Sequence, residues 1–158
     1  MISNTINQIK KIGQSIWYDD LSRELISSGN LEKLIQRGIT GVTSNPSIFN
    51  KAISSGNQYD SSLNLLNKKR FNIQQIYENL TIEDIKNAAD VLNPVYEKTN
   101  KKDGYVSLEV NPHFANDISA TIYEAEKLFH KLNKPNVMIK VPATDKGIDC
   151  VEHLISKG

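Results

Sequence analysis

The sequence predicts an α/β fold built around a parallel β-sheet. Four short runs are β-branched or aromatic and apolar on both faces, which is typical of strands buried in a parallel sheet. Longer segments with helical periodicity separate these runs, so strands and helices alternate along the chain. The four predicted strands are residues 15–18, 39–43, 105–110 and 137–141.

Three stripes of apolar residues at helical spacing predict amphipathic helices. Thr81 and Asp84 form a capping-box pattern before the first stripe, Asn116 or Asp117 precedes the second, and Thr144 precedes the third. The stripes are Ile85, Ala88, Ala89, Leu92 and Tyr96; then Ile118, Ile122, Ala125, Phe129 and Leu132; then Ile148, Val151, Leu154 and Ile155.

A shorter helix is predicted near the start of the chain, with Asn30 placed to cap it and Gly38 just past its end. The stretch between the second and third strands is too long for one crossover helix. We interpret it as two or three helices, at about residues 47–67, 72–78 and 81–99. No linker divides the chain, so we expect residues 1–158 to form a single partial domain.

Composition gives no support to several classes of partner. The 19 Lys and Arg residues nearly balance 18 Asp and Glu, giving a net charge of +1, so nothing favours a nucleic acid or an anionic membrane. Cys150 is the single cysteine, which rules out an internal disulfide and fits a reducing compartment. No apolar stretch approaches the roughly 20 residues that a membrane helix needs. We therefore expect a cytoplasmic protein.

Polar or ionisable residues end each of the four predicted strands. Asp19 and Asp20 follow the first, Thr43, Ser44 and Asn45 end the second, and Glu109 and Lys140 lie at the ends of the third and fourth. In parallel α/β folds the active groups collect at the carboxyl ends of the strands. The pattern therefore indicates an assembled active site at that end of the sheet.

Lys140 is the most informative of these residues. It follows Val137, Met138 and Ile139 and precedes Val141 and Pro142. An apolar surrounding disfavours the charged ammonium, and the free amine can attack a ketone to form an imine. The alternative is a lysine that extends from a strand end to water. Position alone does not decide between these two interpretations.

Glu109 and Asp19 are the candidate acid–base carboxylates, since imine formation and carbon–carbon cleavage both need positioned proton transfer. The alternative for Glu109 is an ion pair with a lysine such as Lys140. The alternative for Asp19 or Asp20 is capping of the next helix. We expect Asp19 to face the site and Asp20 to lie nearer the helix.

Other polar residues carry weaker signals. Thr43 and Asn45 are candidates for binding sugar hydroxyls, although the Asn45-Pro46 step also predicts a turn into a helix. The three histidines share no metal-ligand spacing, and Cys150 lies beside an apolar helix face as a small core residue. No glycine-rich phosphate loop occurs in the sequence.

Four motifs taken together resemble the transaldolase family. They are IWYDDLSR (16–23), GVTSNPSIF (41–49), VSLEVNP (106–112) and IKVPAT (139–144), in the family's order and at plausible spacing. The resemblance covers essentially the whole chain, and the long stretch after the second strand looks closer to full-length transaldolases than to the compact fructose-6-phosphate aldolase branch. It implies a (β/α)8 TIM barrel, of which this chain supplies about the first four β/α units.

The resemblance also implies roles for five residues. Lys140 matches the family's Schiff-base lysine on the fourth strand, and Glu109 matches the third-strand glutamate that works through a water. Asp19 matches the first-strand aspartate of carbon–carbon cleavage. Thr43 and Asn45 match the second-strand motif, where a serine at position 44 departs from the commoner threonine.

The reaction implied by the resemblance needs neither a metal nor an organic cofactor. A three-carbon dihydroxyacetone unit moves from a ketose phosphate, sedoheptulose 7-phosphate or fructose 6-phosphate, to an aldose phosphate in the non-oxidative pentose phosphate pathway. The alternatives are a lyase of the fructose-6-phosphate aldolase type and a catalytically inactive half barrel.

Length departs from the family pattern, because a full barrel has roughly 250 residues. The motifs that hold the sugar phosphate in the later strands of the family do not occur in these 158 residues. We therefore expect a barrel truncated at its C-terminus, whose open edges favour a homodimer or association with a C-terminal half.

Overall fold

A computed structural model describes residues 2–158 and contains four strands, eight α-helices and one 3₁₀ turn within that range. The elements are α1 (Ile2–Lys11), β1 (Trp17–Tyr18), α2 (Arg23–Ser27), α3 (Asn30–Gln36), β2 (Gly41–Thr43), α4 (Pro46–Ser54), α5 (Asp60–Lys68), α6 (Ile73–Lys98), β3 (Val106–Glu109), the 3₁₀ turn (Pro112–Phe114), α7 (Ile118–Leu132), β4 (Val137–Lys140) and α8 (Asp145–Ser156). Within residues 2–158, no helix combines the length and apolar character needed to cross a membrane.

The four strands form one parallel sheet in the order β1-β2-β3-β4. Each lies within a predicted run but is shorter than it. Strands and helices alternate as the sequence predicts, although α1 and α2 lie outside the predicted elements. The chain supplies the first four β/α units of a TIM barrel, and the strand order follows the chain order as it does in such barrels.

The two faces of the sheet have different characters, because successive residues of a strand point to opposite sides. Val42, Val106, Leu108 and Val137 lie on one face and belong to the core, where they pack with α6 and α7. The helical residues of this core include Ile85, Ala88, Ala89, Leu92, Ala125, Leu128 and Leu132. The alternate positions, which include Ser107, Glu109 and Lys140, lie on the other face.

A tryptophan covers the start of the second strand. Trp17 pairs in register with Gly41, and a Cβ atom at residue 41 would lie 2.3 Å from Cε2 of the Trp17 ring. A residue without a side chain is therefore required at position 41, which explains why the GVTSNP segment begins with glycine.

The predicted capping box at Thr81 and Asp84 is wrong, because both residues lie buried in the middle of α6. The helix begins instead at Ile73 and is capped by Asn72, whose side chain accepts from the backbone N–H of Gln75 at 2.9 Å. Gln75 returns the bond by accepting from the Asn72 N–H at 3.0 Å. This reciprocal cap lets the predicted 72–78 and 81–99 helices run as one.

The remaining helix boundaries are partly confirmed. Residues 47–67 form two helices rather than one, with Gly56 between them at a φ of +76°. Asn30 is the first residue of α3, and Gly29 takes the cap position. Asp117 and Thr144 do cap α7 and α8 through their side chains. Gly38 follows the end of α3 at a φ of +109°, as expected.

Two of the predicted apolar stripes are only partly buried. On α7, Leu128 faces the core and Phe129 is exposed. On α8, Gly147 and Cys150 are buried and Leu154 packs partly against the core. Ile148, Val151 and Ile155, spaced as one helical face, are exposed instead. α8 therefore has a second apolar face, which no other part of residues 2–158 covers.

Asn136 joins three elements at the amino end of the sheet. Its buried Nδ2 donates to the carbonyl of Ala89 on α6 at 2.8 Å and to that of Gly104, before β3, at 2.9 Å. One buried side chain thus joins α6 to the residue that precedes β3 through two hydrogen bonds.

Replacing Asn136 with alanine is expected to lower the free energy of unfolding by about 1–3 kcal/mol, because two buried hydrogen bonds between elements would be lost. Asn79→Ala is the matched control, because it removes an exposed amide bond to the Gln75 carbonyl. The control is expected to change stability by less than about 0.5 kcal/mol. Urea unfolding followed by circular dichroism measures both, and equal effects would contradict this role for Asn136.

Candidate functional site

Glu109 and Lys140 meet at the carboxyl ends of β3 and β4. The two residues are partners in the parallel register, and Oε2 of Glu109 lies 3.3 Å from Nζ of Lys140. Their side chains are 25% and 36% exposed, respectively. The ion pair that the sequence left as an alternative for Glu109 is therefore present, and it places an acid–base group beside the amine.

The ion pair with Glu109 changes the interpretation of Lys140 that the sequence suggested. The side chain is partly exposed and bound to a carboxylate, whereas the flanking residues predicted apolar surroundings. The Lys140 amine thus lies against the Glu109 carboxylate, a group that can accept or donate a proton.

Thr43 and Ser107 form the neighbouring part of this face. They are partners in the register of β2 and β3, and the Ser107 hydroxyl donates to Oγ1 of Thr43 at 2.8 Å. The buried Ser44 hydroxyl donates to the carbonyl of Ser107 at 2.7 Å. Because its oxygen already accepts from Ser107, Thr43 is left with a hydroxyl proton to donate.

Asn45 caps α4 as the Asn45-Pro46 step predicts. Its Oδ1 accepts from the Ile48 N–H at 2.9 Å, and Pro46 occupies the first turn of the helix. The cap fixes the orientation of the side chain and leaves its amide NH₂ as the donor end. Asn45 therefore combines a structural role with a donor two residues after the end of β2.

Asp19 immediately follows β1 and is exposed, while Asp20 is half-buried. Neither caps α2, because the Ser22 side chain accepts from the Leu25 N–H at 3.1 Å. The capping alternative for these aspartates is therefore wrong. β1 lies three strand spacings from β4, or roughly 14 Å along the sheet. Asp19 thus belongs to the same sheet end without being a neighbour of Lys140.

A cavity of about 230 Å³ lies beside Glu109, between β3, α6 and α7. Tyr77 lines it and packs edge-on against Phe49, with ring centroids 6.3 Å apart. Burial, together with the nearby charge of Glu109, raises the pKa of Tyr77 to about 12. The phenol is therefore neutral at physiological pH and is a polar neighbour of Glu109 that sequence reasoning missed.

The histidines and the cysteine lie as expected. His130 is exposed on α7, and His153 on α8 lies 3.1 Å from Glu126 of α7. His113 lies in the exposed 3₁₀ turn after β3. Cys150 is fully buried, and burial raises the pKa of its thiol. A buried protonated thiol is a poor nucleophile, which agrees with a core role for Cys150.

Sequence reasoning also missed a buried polar network around Asp84. Oδ1 accepts from Nε of Arg23 at 3.0 Å, and Oδ2 accepts from the Tyr59 hydroxyl at 2.7 Å. A signal was available, because Asp84 lies on the buried face of α6 with Ile85 and Ala88. An acidic residue on an apolar helix face predicts a buried partner.

The comparisons with known proteins agree with this architecture. A family model described as Transaldolase/Fructose-6-phosphate aldolase matches residues 16–158. Transaldolase 2 of Nostoc punctiforme is 46% identical over all of this chain and 42% of its own length. Transaldolase 1 of Streptomyces avermitilis is 44% identical over 99% of the chain and 43% of its own length.

A third relative, the transaldolase of Neisseria gonorrhoeae, is 42% identical over 97% of the chain and 44% of its own length. The chain therefore spans less than half the length of these relatives. The match to the family model, however, includes all four strands and every candidate site residue described above. The chain belongs to the transaldolase/fructose-6-phosphate aldolase family.

Proposed function

We propose that the protein is a transaldolase that carries a dihydroxyacetone unit as a Schiff base on Lys140. The observation that supports this most directly is the 3.3 Å pair between Lys140 and Glu109 at the carboxyl ends of adjacent parallel strands. An amine beside a proton acceptor, at the end of the sheet where barrel enzymes hold their substrates, is suited to imine chemistry.

In this mechanism Glu109 first takes a proton from Lys140. The free amine attacks the ketone carbon of a ketose phosphate, and loss of water from the carbinolamine gives the imine. Proton return from Glu109 to the departing hydroxyl completes this step. Asp19 then accepts the proton of the C4 hydroxyl as the C3–C4 bond breaks and an aldose phosphate leaves.

The electron pair of the broken bond remains on the three-carbon unit as an enamine conjugated with the nitrogen of Lys140. Addition of this carbon to an acceptor aldehyde reverses the sequence and forms the new ketose. Thr43 and Asn45 bind sugar hydroxyls in this proposal. Thr43 donates its hydroxyl proton, because its oxygen already accepts from the Ser107 hydroxyl. Asn45 donates its amide NH₂, because its Oδ1 already accepts from the Ile48 N–H.

The proposed donors are sedoheptulose 7-phosphate and fructose 6-phosphate, and the acceptors are glyceraldehyde 3-phosphate and erythrose 4-phosphate. The reaction belongs to the non-oxidative pentose phosphate pathway and uses no metal or organic cofactor. A cytoplasmic location is part of the proposal, because phosphorylated sugars are too polar to cross a membrane unaided.

A lyase of the fructose-6-phosphate aldolase type is the second candidate, since the matching family includes that activity in its description. In a lyase, water protonates the enamine and the acceptor is not needed. The names of the relatives favour transfer. Release of free dihydroxyacetone in the absence of an acceptor distinguishes the lyase from the transferase.

The proposal includes a partner, because β4 lies at an edge of the sheet and α8, the helix that follows it in the chain, presents an exposed apolar face. Met138 on β4 and Ile148, Val151 and Ile155 on α8 are exposed. We propose that residues 1–158 act as one partial domain whose edges are covered by a C-terminal half barrel. A homodimer and a catalytically inactive half barrel are the competing outcomes.

Borohydride trapping tests the proposed mechanism. The chain is incubated with fructose 6-phosphate, reduced, digested and analysed by mass spectrometry, alone and as a completed barrel. The completed barrel adds the residues that follow the matched region in transaldolase 2 of Nostoc punctiforme. A three-carbon adduct on Lys140 is expected in the completed barrel.

Two variants sharpen this test. Lys140→Arg is expected to abolish the adduct, and Glu109→Gln to slow its formation by roughly 100-fold, since general acid–base catalysis typically contributes 10²–10⁴. Lys146→Arg is the matched control, because it changes an exposed lysine of α8. An adduct on another lysine, or none in the completed barrel, would overturn the assignment of Lys140.

Ile155→Glu tests the proposed interface. The side chain is 73% exposed on the uncovered face of α8. A charge at this position is expected to weaken association with the C-terminal half at least tenfold, because burying an unpaired carboxylate is costly. Ile73→Glu is the control, since Ile73 is 87% exposed at the start of α6. Light scattering after gel filtration of the mixed halves measures the effect.

Equal effects of the two substitutions would contradict an interface at α8. The chain alone could instead form a stable dimer that is lost only in Ile155→Glu. That result would mean that the partner at α8 is a second copy of the chain and not the C-terminal half.

A further inference from the structure

Arg23 is the centre of a polar network just beyond the first strand. Its guanidinium donates to Asp84 at 3.0 Å, to Glu83 at 2.8 Å and to the Ser62 hydroxyl at 2.8 Å. Its Cζ also lies 4.5 Å from the centre of the Tyr59 ring. One side chain thus connects the start of α2 with α5 and α6, which are distant in sequence.

The network holds the main chain as well as the side chain. The backbone N–H of Arg23 donates to the Tyr59 hydroxyl at 3.1 Å, and that hydroxyl donates to Asp84 at 2.7 Å. The Asp84 side chain has no exposed surface, and that of Arg23 is 16% exposed. Position 23 is therefore fixed by a closed ring of hydrogen bonds inside the protein.

The ionised form of the Arg23–Asp84 pair satisfies every donor in this ring. Burial disfavours a charged carboxylate and raises the pKa of Asp84. Against the opposing effect of burial, the same carboxylate raises the pKa of Arg23. Because both carboxylate oxygens accept hydrogen bonds, from Arg23 and from Tyr59, we assign the charged state to Asp84.

The segment between Asp19 and Arg23 has little freedom. Leu21 is fully buried, and Ser22 caps α2 through its side chain. β1 has only two residues and pairs with β2 on one side. Such a short strand holds the following turn weakly. The anchor at Arg23, four residues after Asp19, therefore adds a constraint to those that Leu21 and Ser22 supply.

We propose that Arg23 is a positioning residue that holds the turn carrying Asp19 in the orientation required for carbon–carbon cleavage. The inference rests on the proposed function, in which Asp19 takes the C4 hydroxyl proton as the C3–C4 bond breaks. Imine formation uses Lys140 and Glu109, on strands to which Arg23 makes no hydrogen bond among the described residues. Loss of Arg23 must therefore impair cleavage more than imine formation.

If Arg23 only stabilised the fold, its substitution would affect imine formation and cleavage equally. General destabilisation lowers the amount of folded protein, so it reduces imine formation and cleavage by the same factor. Borohydride separates the two steps, because reduction before cleavage leaves a six-carbon adduct on Lys140 and reduction after cleavage leaves a three-carbon adduct. The ratio of the two adducts reports cleavage independently of the amount of folded protein.

The test compares Arg23→Lys, Arg23→Gln and Tyr59→Phe in the preparation that gives the Lys140 adduct in the unsubstituted protein. Lysine keeps the charge but lacks the planar fork that reaches Asp84, Glu83 and Ser62 together. Tyr59→Phe removes the hydroxyl that accepts from the Arg23 N–H and donates to Asp84, and it leaves the Arg23 side chain in place, so it remains informative if Arg23→Gln does not fold. Asn136→Ala is the control for destabilisation far from Asp19.

For the Arg23 variants we expect transfer turnover to fall roughly 10- to 100-fold while imine formation changes less than about twofold, because misplacing a general base forfeits much of its 10²–10⁴ contribution. The six-carbon adduct should accumulate in these variants, and more weakly in Tyr59→Phe. Asn136→Ala should leave the adduct ratio unchanged.

Equal losses in both steps, or an unchanged adduct ratio in Arg23→Lys and Tyr59→Phe, would overturn the positioning role. Absence of any Lys140 adduct in the unsubstituted completed barrel is a separate result. It would overturn the proposed function itself, and with it this inference.

Discussion

Parallel pairing between β3 and β4 is the interaction on which the candidate site depends. The register makes Glu109 the partner of Lys140, and both side chains lie on the face opposite the core residues Leu108 and Val137. A shift of one residue in either strand would turn one of the two groups toward the helices. The buried valines and leucines of the opposite face fix the register, so the hydrophobic core also sets the distance between amine and carboxylate.

Helix α6 connects this core to the rest of the site. It packs its apolar residues beneath the sheet, places Tyr77 beside Glu109 and carries Asp84, the buried anchor for Arg23. The two carboxylates with proposed proton-transfer roles thus depend on one helix, although they follow strands that are two positions apart in the sheet. This arrangement gives a physical reason for the long crossover between β2 and β3.

The sequence was sufficient to predict the strands, their parallel arrangement and the positions of Lys140, Glu109 and Asn45. Those predictions rest on short-range patterns, namely strand runs that end in a polar residue. The capping box at Thr81 failed because a pattern of residue types does not reveal whether a threonine is at a helix start or inside a helix. The reciprocal cap of Asn72 and Gln75 carried the same kind of signal nine residues earlier.

The polar contacts between residues that are distant in sequence could not be predicted from the sequence. Arg23 and Asp84 are 61 residues apart, and no sequence motif at either residue predicts the other as its partner. The exposure of Ile148 and Ile155 was equally hidden, because an apolar face looks the same whether this chain or a partner covers it. The Arg23–Asp84 contact and the exposure of the α8 face both depend on packing between distant elements, which local sequence patterns do not reveal.

A crystal structure of the completed barrel soaked with fructose 6-phosphate tests the central claim most directly. We predict continuous electron density from Nζ of Lys140 to the ketone carbon, with Glu109 within hydrogen-bond distance of that carbon's substituents. Sugar phosphate bound without a covalent link while the Lys140–Glu109 pair stays intact, or linked to another lysine, would contradict the account.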